Sequence, residues 1–287
     1  MSIAKILAPV TGVPRDATVL KAAIAAARPF NAHVVALFVR PDSRLSVPYM
    51  GGAPMSPTVV QDIVDAIEKL AREAEARARA TLIGIAKAED LKVVDHPAKA
   101  DAVTCSFEAI IGLYPPRIAE AASLSDLVVF GPLSKDDGPD IAESFLEALT
   151  TTQRPVLISP EAMLRAPRRI VIGWDGGNAA AHSVCAAIPF LERADSVEIL
   201  SVQHEGHHVR FKALESYLAL HGVKATHRTV DKGTKSTGQA LLEAATKDGA
   251  DLLVMGGYGH NYWRETLFGG VTAFVRWHAN IPVLLMH

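Results

Sequence analysis

The chain has 287 residues, of which 49% are apolar and 21% charged, and its formal net charge is −2. This length suits two domains better than one, and the apolar fraction is ample for two packed cores. The charge excludes a globally basic nucleic-acid binder. No apolar run reaches the ~18 residues of a membrane span, so we expect neither a nucleic-acid nor a membrane partner.

Short, continuous β-branched runs are typical of buried parallel strands. The first half of the chain has five such runs, at residues 3–10, 33–39, 91–95, 126–131 and 155–158. The second half has five more, at residues 169–174, 196–202, 224–230, 251–255 and 282–286. Ala-rich helical stretches lie between most of them, for example at residues 17–28, 179–191 and 237–248. The alternation predicts an α/β fold with right-handed crossovers and a doubly wound sheet in each half.

The two halves repeat one unit. The segment SDLVVFGP at residues 125–132 recurs as ADLLVMGG at 250–257, and KILAPVTG at 5–12 is echoed by RIVIGWDG at 169–176. A repeat of this size indicates a duplicated domain. The stretch between the copies, residues 159–169, contains two prolines and several charges and is typical of a linker. We therefore predict domains at residues 1–160 and 168–287.

The first half carries an insertion. A Pro/Gly/Ser-rich loop is predicted at residues 40–57, followed by a long helix at 58–88 with apolar residues at helical spacing. Two interpretations are open for this 40–88 segment. The helix covers a face of the sheet, or it forms a lid or partner surface over one site.

Spaced glycines mark the last part of the chain. Gly256 closes a predicted strand, Gly259 follows after two residues, and Gly269 and Gly270 follow after nine more, where a helix is predicted from Val271. Glycine lets the backbone approach a ligand closely, and a helix start presents unpaired N–H groups and the positive end of the dipole. This point lies beyond the carboxyl end of a strand, where open α/β sheets bind ligands. The pattern fits a phosphate chain, although tight turns also use glycine for structural reasons.

This glycine pattern resembles the signature of the universal stress protein family, which reads Gly, two residues, Gly, nine residues, Gly and then Ser or Thr. The resemblance covers nearly the whole chain as a tandem of two such domains. It implies an adenine nucleotide alpha hydrolase-like fold, with a five-stranded parallel open sheet per domain and helices on both faces. It also implies an intramolecular pseudo-dimer, in which the halves pack through their last strands.

The resemblance further implies the ligand contacts. WDG at residues 174–176 resembles the family's first-strand VDG, so Asp175 is expected at the adenine end of bound ATP, with the backbone near Val202 lining the pocket. The four glycines 256, 259, 269 and 270 are expected around the phosphates. The family's Ser or Thr is Gly270 here, and Thr272 is the substitute hydroxyl. Loss of one neutral hydrogen bond costs about 0.5–1.5 kcal/mol, which weakens ATP binding without preventing it.

The first half departs further from the signature. Thr11 stands where the second half has Asp175, Ser134 replaces the second glycine, and Ala142 followed by Glu143 replaces the third. A carboxylate at a phosphate-facing helix start repels the ligand. We therefore expect no nucleotide in this domain.

Other candidate sites have simpler explanations. The histidines of QHEGHH, residues 203–208, suggest a metal site, but adjacent ligands rarely converge tetrahedrally, so a solvated loop is favoured. Cys105 and Cys185 have no metal-type spacing and indicate a reducing, cytoplasmic compartment. There is no nucleophile-elbow motif and no recognisable set of catalytic residues.

The sequence thus predicts a cytoplasmic stress-response regulatory module. Its expected ligand is ATP, with or without Mg²⁺, in the C-terminal domain, and its expected partner is a signalling protein. A homodimer beyond the intramolecular pairing stays open. Two alternatives are a slow ATP hydrolase and a scaffold that has lost nucleotide binding.

Overall fold

The computed structural model describes residues 2–43, 56–133, 139–161, 163–203, 211–258 and 270–287. Within these residues the N-terminal half contributes six strands: β1 (Lys5–Val10), β2 (His33–Arg40), β3 (Lys92–Val93), β4 (Thr104–Ile111), β5 (Leu127–Phe130) and β6 (Val156–Ile158). The C-terminal half contributes five: β7 (Arg169–Gly173), β8 (Ser196–Val202), β9 (Ala225–Val230), β10 (Leu252–Gly256) and β11 (Val283–Met286).

Helices connect most of these strands. The N-terminal half contains α1 (Asp16–Ala27), α2 (Pro57–Ala88), α3 (Tyr114–Ser123) and α4 (Pro139–Leu146). The C-terminal half contains α5 (Asn178–Leu191), α6 (Phe211–Leu220), α7 (Thr237–Lys247) and α8 (Val271–His278). A 3₁₀ turn (Arg28–Phe30) follows α1, and a π-helical turn (Glu147–Thr151) follows α4. None of the described helices is both long and apolar enough to cross a bilayer.

The strands form one sheet in the order β3-β4-β2-β1-β5-β6-β11-β10-β7-β8-β9. All pairs within each half are parallel. One core packs α1, α2, α5 and α6 on one face, and a second packs α3, α4, α7 and α8 on the other. The predicted α/β fold, with open parallel sheets and helices on both faces, is confirmed.

The two halves meet at β6 and β11. These strands pair antiparallel, with Val283 opposite Ile158 and Leu285 opposite Val156. The side chains of the paired residues are at most 2% exposed. The sheet is therefore continuous through the junction, which is the arrangement that the family resemblance implies. The domain limits 1–160 and 168–287 stay a prediction.

One strand of the N-terminal half differs from the sequence prediction. The predicted third strand at residues 91–95 is only the two-residue β3, and the unpredicted β4 lies between it and β2. The N-terminal half therefore has six strands where five were predicted. Since β4 is buried at its start and largely exposed from Glu108 onward, it lacks the continuous apolar run by which the other strands were found.

His33 joins β4 to β2. Its side chain is buried, with Nδ1 2.8 Å from Thr104 Oγ1 and Nε2 2.9 Å from Ser106 Oγ. Burial lowers the pKa of His33 below 6.5, and nearby Lys5 lowers it further. The imidazole is therefore neutral in the folded protein at neutral pH.

This neutral imidazole predicts acid sensitivity. The unfolded chain protonates His33 near the ordinary pKa of 6.5, while the folded chain does so only at lower pH. The stabilisation is thus complete above about pH 6.5 and is lost as the pH falls toward the lowered pKa. We expect His33→Gln to reduce the decline of unfolding free energy across this window, measured by urea denaturation from about pH 7.5 to 5. An identical decline in the variant would contradict this assignment.

Candidate functional site

The candidate site lies at the carboxyl ends of β7 and β10. These neighbouring parallel strands pair Val171 with Leu253 and Gly173 with Met255. The chain leaves these two strands in opposite directions along the sheet, from β7 toward β8 on one side and from β10 toward β11 on the other. Open α/β sheets bind ligands in the crevice at such a reversal. The turn after β7 is therefore one wall of the site, and Gly257 and Tyr258, which follow β10, begin the other.

Asp175 occupies the first wall. It is exposed and lies in a tight turn, in which the Gly177 amide donates to Asp175 Oδ1 at 2.8 Å. Gly176 makes this turn with a φ of +80° and has open space where a side chain would begin. Among the described residues, Asp175 Oδ2 has no hydrogen-bond partner. The carboxylate is thus held in place and keeps an oxygen to accept a bond from a ligand.

Val202 ends the neighbouring strand β8. Its side chain is half-buried, and the next residue, Gln203, donates its amide to Val230 O at 2.8 Å. Because Gly173 is paired with Leu200, Val202 lies beside the turn that carries Asp175. The structure therefore brings these two predicted site residues to one edge.

Gly256 closes β10 against the start of α5. A Cβ at this position would lie 2.7 Å from Ala180 N and 2.9 Å from the carbonyl carbon of Ala179. Real Cβ atoms essentially never approach backbone so closely. One glycine of the predicted phosphate motif therefore has a packing reason that involves no ligand.

Thr272 joins the second wall to α8. It is 2% exposed, and its Oγ1 accepts from the Tyr258 amide at 3.2 Å. Tyr258 has a φ of +56° and accepts a hydrogen bond from Arg276 through its own hydroxyl. Thr272 therefore holds Tyr258, the second residue after β10, in position, and its contact with phosphate stays a prediction.

Gly270 is the N-cap of α8, which begins at Val271 as predicted. It supplies no side-chain cap, so among the described residues the first amides of α8 have no side-chain acceptor. Gly259 and Gly269 lie outside the described residues, as do the histidines of residues 204–208 and the segment from His260 to Phe268. Within the described part of the chain, no group of three metal-ligating side chains comes together.

Among the described residues, the matching edge of the N-terminal half leaves little space. Asp16 is 2% exposed there and accepts from the amides of Thr11 and Gly12 at 3.0 and 2.7 Å. Burial raises the pKa of Asp16, and these hydrogen bonds offset part of that shift. A cavity of about 20 Å³ lies here among the described residues, bounded also by Arg15 and Tyr114. It has room for about one water molecule.

Helix α2 lies on the loop that closes this edge. Arg77 Nε donates to Gly12 O at 2.9 Å, and Arg40 at the end of β2 pairs with Glu75. Farther along α2, Ala78 and the residues that follow on the same face are buried in the core. The insertion was interpreted either as a helix that covers the sheet or as a lid over one site, and each interpretation describes a part of α2. One segment covers the sheet, and another lies over the loop equivalent to the Asp175 turn.

Sequence reasoning missed the closed edge. Asp16 lies in the first turn of a predicted helix, five residues after Thr11 and four after Gly12. An acidic residue at such a position is a signal for a carboxylate that accepts from nearby backbone amides. That signal could have identified Asp16. No local pattern indicates that α2 returns to Gly12, because the contact joins segments more than sixty residues apart.

Residues 167–287 match the model of the Universal stress protein family. This universal-stress-type segment contains the Asp175 turn, β10 and α8. No curated protein matches the chain.

Solved structures resemble the whole chain. A universal stress protein from Archaeoglobus fulgidus has a TM-score of 0.65 at 14% identity, covering 98% of this chain and 95% of that chain. A putative universal stress protein from Pseudomonas aeruginosa has a TM-score of 0.58 at 14% identity, covering 99% and 93%. A functionally unknown protein from the same species has a TM-score of 0.57 at 14% identity, covering 99% and 92%. At this identity the likeness shows the fold, which extends over both halves.

Proposed function

We propose that this protein is a universal-stress-type regulatory module that binds ATP, or a related adenine nucleotide, only in its C-terminal half. The observation that carries the proposal is the contrast between the two equivalent edges. In the C-terminal half the turn after the first strand is open and holds an exposed carboxylate at Asp175. In the N-terminal half the equivalent turn lies under α2, beside a cavity of about 20 Å³.

The adenine end of the ligand is assigned to Asp175 and Val202. A carboxylate accepts hydrogen bonds only, so the unpartnered Asp175 Oδ2 suits a donor such as the exocyclic amine of adenine. Charge-assisted hydrogen bonds of this kind contribute about 1.5–3 kcal/mol. The end of β8 beside Val202 supplies the adjoining wall.

The phosphate end is assigned to the start of α8. Its uncapped amides and the positive end of its dipole favour an anion. Gly259, Gly269 and Gly270 lead to this helix in the spacing of the family signature. Thr272 Oγ1 accepts from Tyr258 and keeps its hydroxyl hydrogen, which is available to donate to phosphate. Mg²⁺ would accompany the nucleotide through its phosphates.

The regulatory part of the proposal follows from linkage. A nucleotide that binds one conformation stabilises it by mass action and biases contacts with a signalling protein. Both cysteines are free thiols, which agrees with our placement of the module in the cytoplasm. The domains are assigned to residues 1–160 and 168–287.

The decisive test compares two aspartates by thermal denaturation with and without ATP and Mg²⁺. At ATP concentrations about 100 times Kd, binding stabilises the wild type by about 2.7 kcal/mol, which raises Tm by several degrees. We expect Asp175→Ala to reduce this ATP-dependent shift to about half or less, because loss of about 1.5–3 kcal/mol of binding energy weakens Kd by at least about tenfold. Asp231→Ala is the matched control, because Asp231 is also exposed and accepts from Gly233 N at 2.9 Å in the same kind of turn.

The outcomes separate the alternatives. A wild type whose Tm does not respond to ATP would overturn the proposal and favour the scaffold. The packing role of Gly256 against Ala179 and Ala180 is the observation that supports that second candidate. Equal loss of the shift in both aspartate variants would show that the effect is not specific to Asp175, and would contradict the placement of the adenine end there. Release of phosphate during the incubation would indicate a slow hydrolase.

A further inference from the structure

A second pocket lies where the two halves meet, away from the Asp175 crevice. Its walls come from the end of α1, the segment before β7 and the end of α5. These segments precede the amino ends of β2, β7 and β8, while Asp175 follows the carboxyl end of β7. The pocket is partly open to solvent and has a volume of about 400 Å³, which is in the range of small-molecule sites. Both halves and the segment between them are needed to build it.

The apolar lining of this pocket is rigid. Phe190 is 3% exposed and packs edge-on against Phe30, with ring centroids 5.1 Å apart and an angle of 83°. Pro29 and Pro167, which also line the pocket, have fixed φ angles. The lining is therefore formed before any ligand arrives, which reduces the entropic cost of binding.

The polar lining consists of arginines. Arg28, Arg168 and Arg193 line the pocket, and no carboxylate does. Their acidic partners lie outside the lining. Arg28 Nη2 lies 2.5 Å from Glu89 Oε2, Arg168 pairs with Asp195, and Arg193 Nη1 lies 3.6 Å from Glu192 Oε2. Each arginine is thus charge-paired just outside the pocket, while the guanidinium groups themselves form the polar part of the lining.

These ion pairs leave donors available to a ligand. A guanidinium carries five N–H donors. In the part of the chain that the structure describes, Arg28 donates to side chains through Nη2, and Arg168 through Nε and Nη2. The guanidinium of Arg193 lies over the Phe30 ring, 4.9 Å from its centroid. The pairs therefore orient the arginines without using all their donors.

From this combination we propose that the pocket binds a small organic anion, with a flat apolar body and one carboxylate, sulfonate or phosphate group. The apolar body lies against Phe190 and the prolines, and the anionic group accepts forked hydrogen bonds from Arg28 and Arg168. The site is distinct from the nucleotide site proposed above and does not depend on it.

The test uses the fluorescent anion 8-anilinonaphthalene-1-sulfonate as the probe. We expect one saturable probe molecule per full-length chain, and weaker binding by about tenfold in the double variant Arg28→Gln/Arg168→Gln. Arg117→Gln is the matched control, because the Arg117 side chain is 44% exposed, like that of Arg28, and also forms an ion pair. This control and Asp175→Ala are expected to bind the probe as the wild type does.

Three results would overturn the proposal. The first is unchanged affinity in the double arginine variant. The second is equally tight binding of the uncharged analogue N-phenyl-1-naphthylamine, which would show that the pocket selects only for apolar surface. The third is loss of the probe in Asp175→Ala, which would place the anion in the other site. Because the three arginines are 44–49% exposed, their replacement is not expected to unfold the chain, and a Tm measurement checks this.

Discussion

Gly12→Ala is expected to destabilise the protein by more than about 3 kcal/mol. Gly12 has a φ of +82°, which costs an L-residue about 1–2 kcal/mol. A Cβ there would also lie 2.3 Å from Ala74 O and 2.7 Å from Ala74 Cα. Both atoms belong to the backbone of α2, so the helix has to move away from the loop. Urea denaturation measures the loss of unfolding free energy.

Gly176→Ala is the matched control for this experiment. Gly176 is the equivalent residue of the second repeat, with a φ of +80° and no atom within 4 Å of the added Cβ. Its replacement carries only the conformational cost of about 1–2 kcal/mol. The difference between the two variants therefore isolates the contact between α2 and the loop. Equal losses would mean that α2 does not press on Gly12.

Gly256→Ala is the second substitution with a large expected effect. The new Cβ would overlap the backbone at Ala179 and Ala180, which begin α5. Overpacking of this kind costs about 1–3 kcal/mol, and more where backbone has to shift. We expect a loss near the upper end of that range in urea denaturation without any nucleotide.

The control for Gly256 is Gly84→Ala. Gly84 lies inside α2 with nothing within 4 Å of its added Cβ, so alanine is expected to stabilise that helix by about 0.5–1 kcal/mol. If Gly256→Ala is as stable as the wild type, the packing explanation fails and a ligand becomes the better reason for the glycine. If Gly256→Ala is destabilised, a loss of ATP binding in this variant is explained by its packing defect and is not evidence that Gly256 contacts phosphate.

The sequence was most informative for the C-terminal half. Its five strands lie within one or two residues of the predicted runs. Four of them are mostly buried and apolar, whereas β9 has only exposed and half-buried residues. The long helix was predicted at residues 58–88 and is Pro57–Ala88. The start of α8 at Val271 was also predicted. Local periodicity and glycine spacing are sufficient for such elements.

The remaining features depend on contacts between distant segments. Strand β4 is held to β2 by His33, Thr104 and Ser106, which no period in the sequence reveals. The spacing of the motif placed Thr272 at the start of α8. It gave no indication that the hydroxyl oxygen accepts from Tyr258, fourteen residues earlier.

The function of the glycines could be predicted only in part. Sequence spacing groups Gly256 with Gly259 and Gly269 as one motif, although the structure gives Gly256 a packing role of its own. The departures at Thr11 and Ala142 led to the expectation that the first half binds no nucleotide. The described residues beside Asp16 leave a cavity of about 20 Å³, and the expectation that this half binds no nucleotide stays a prediction.

The antiparallel pairing of β6 with β11 has a consequence for stoichiometry. Both strands belong to one polypeptide, so dilution does not separate them as it separates the subunits of an ordinary dimer. Each molecule therefore carries one edge with the open Asp175 turn and one edge whose equivalent turn lies under α2, always in a one-to-one ratio. A dimer of identical chains would have two identical edges. In this single chain the two edges differ because their sequences differ.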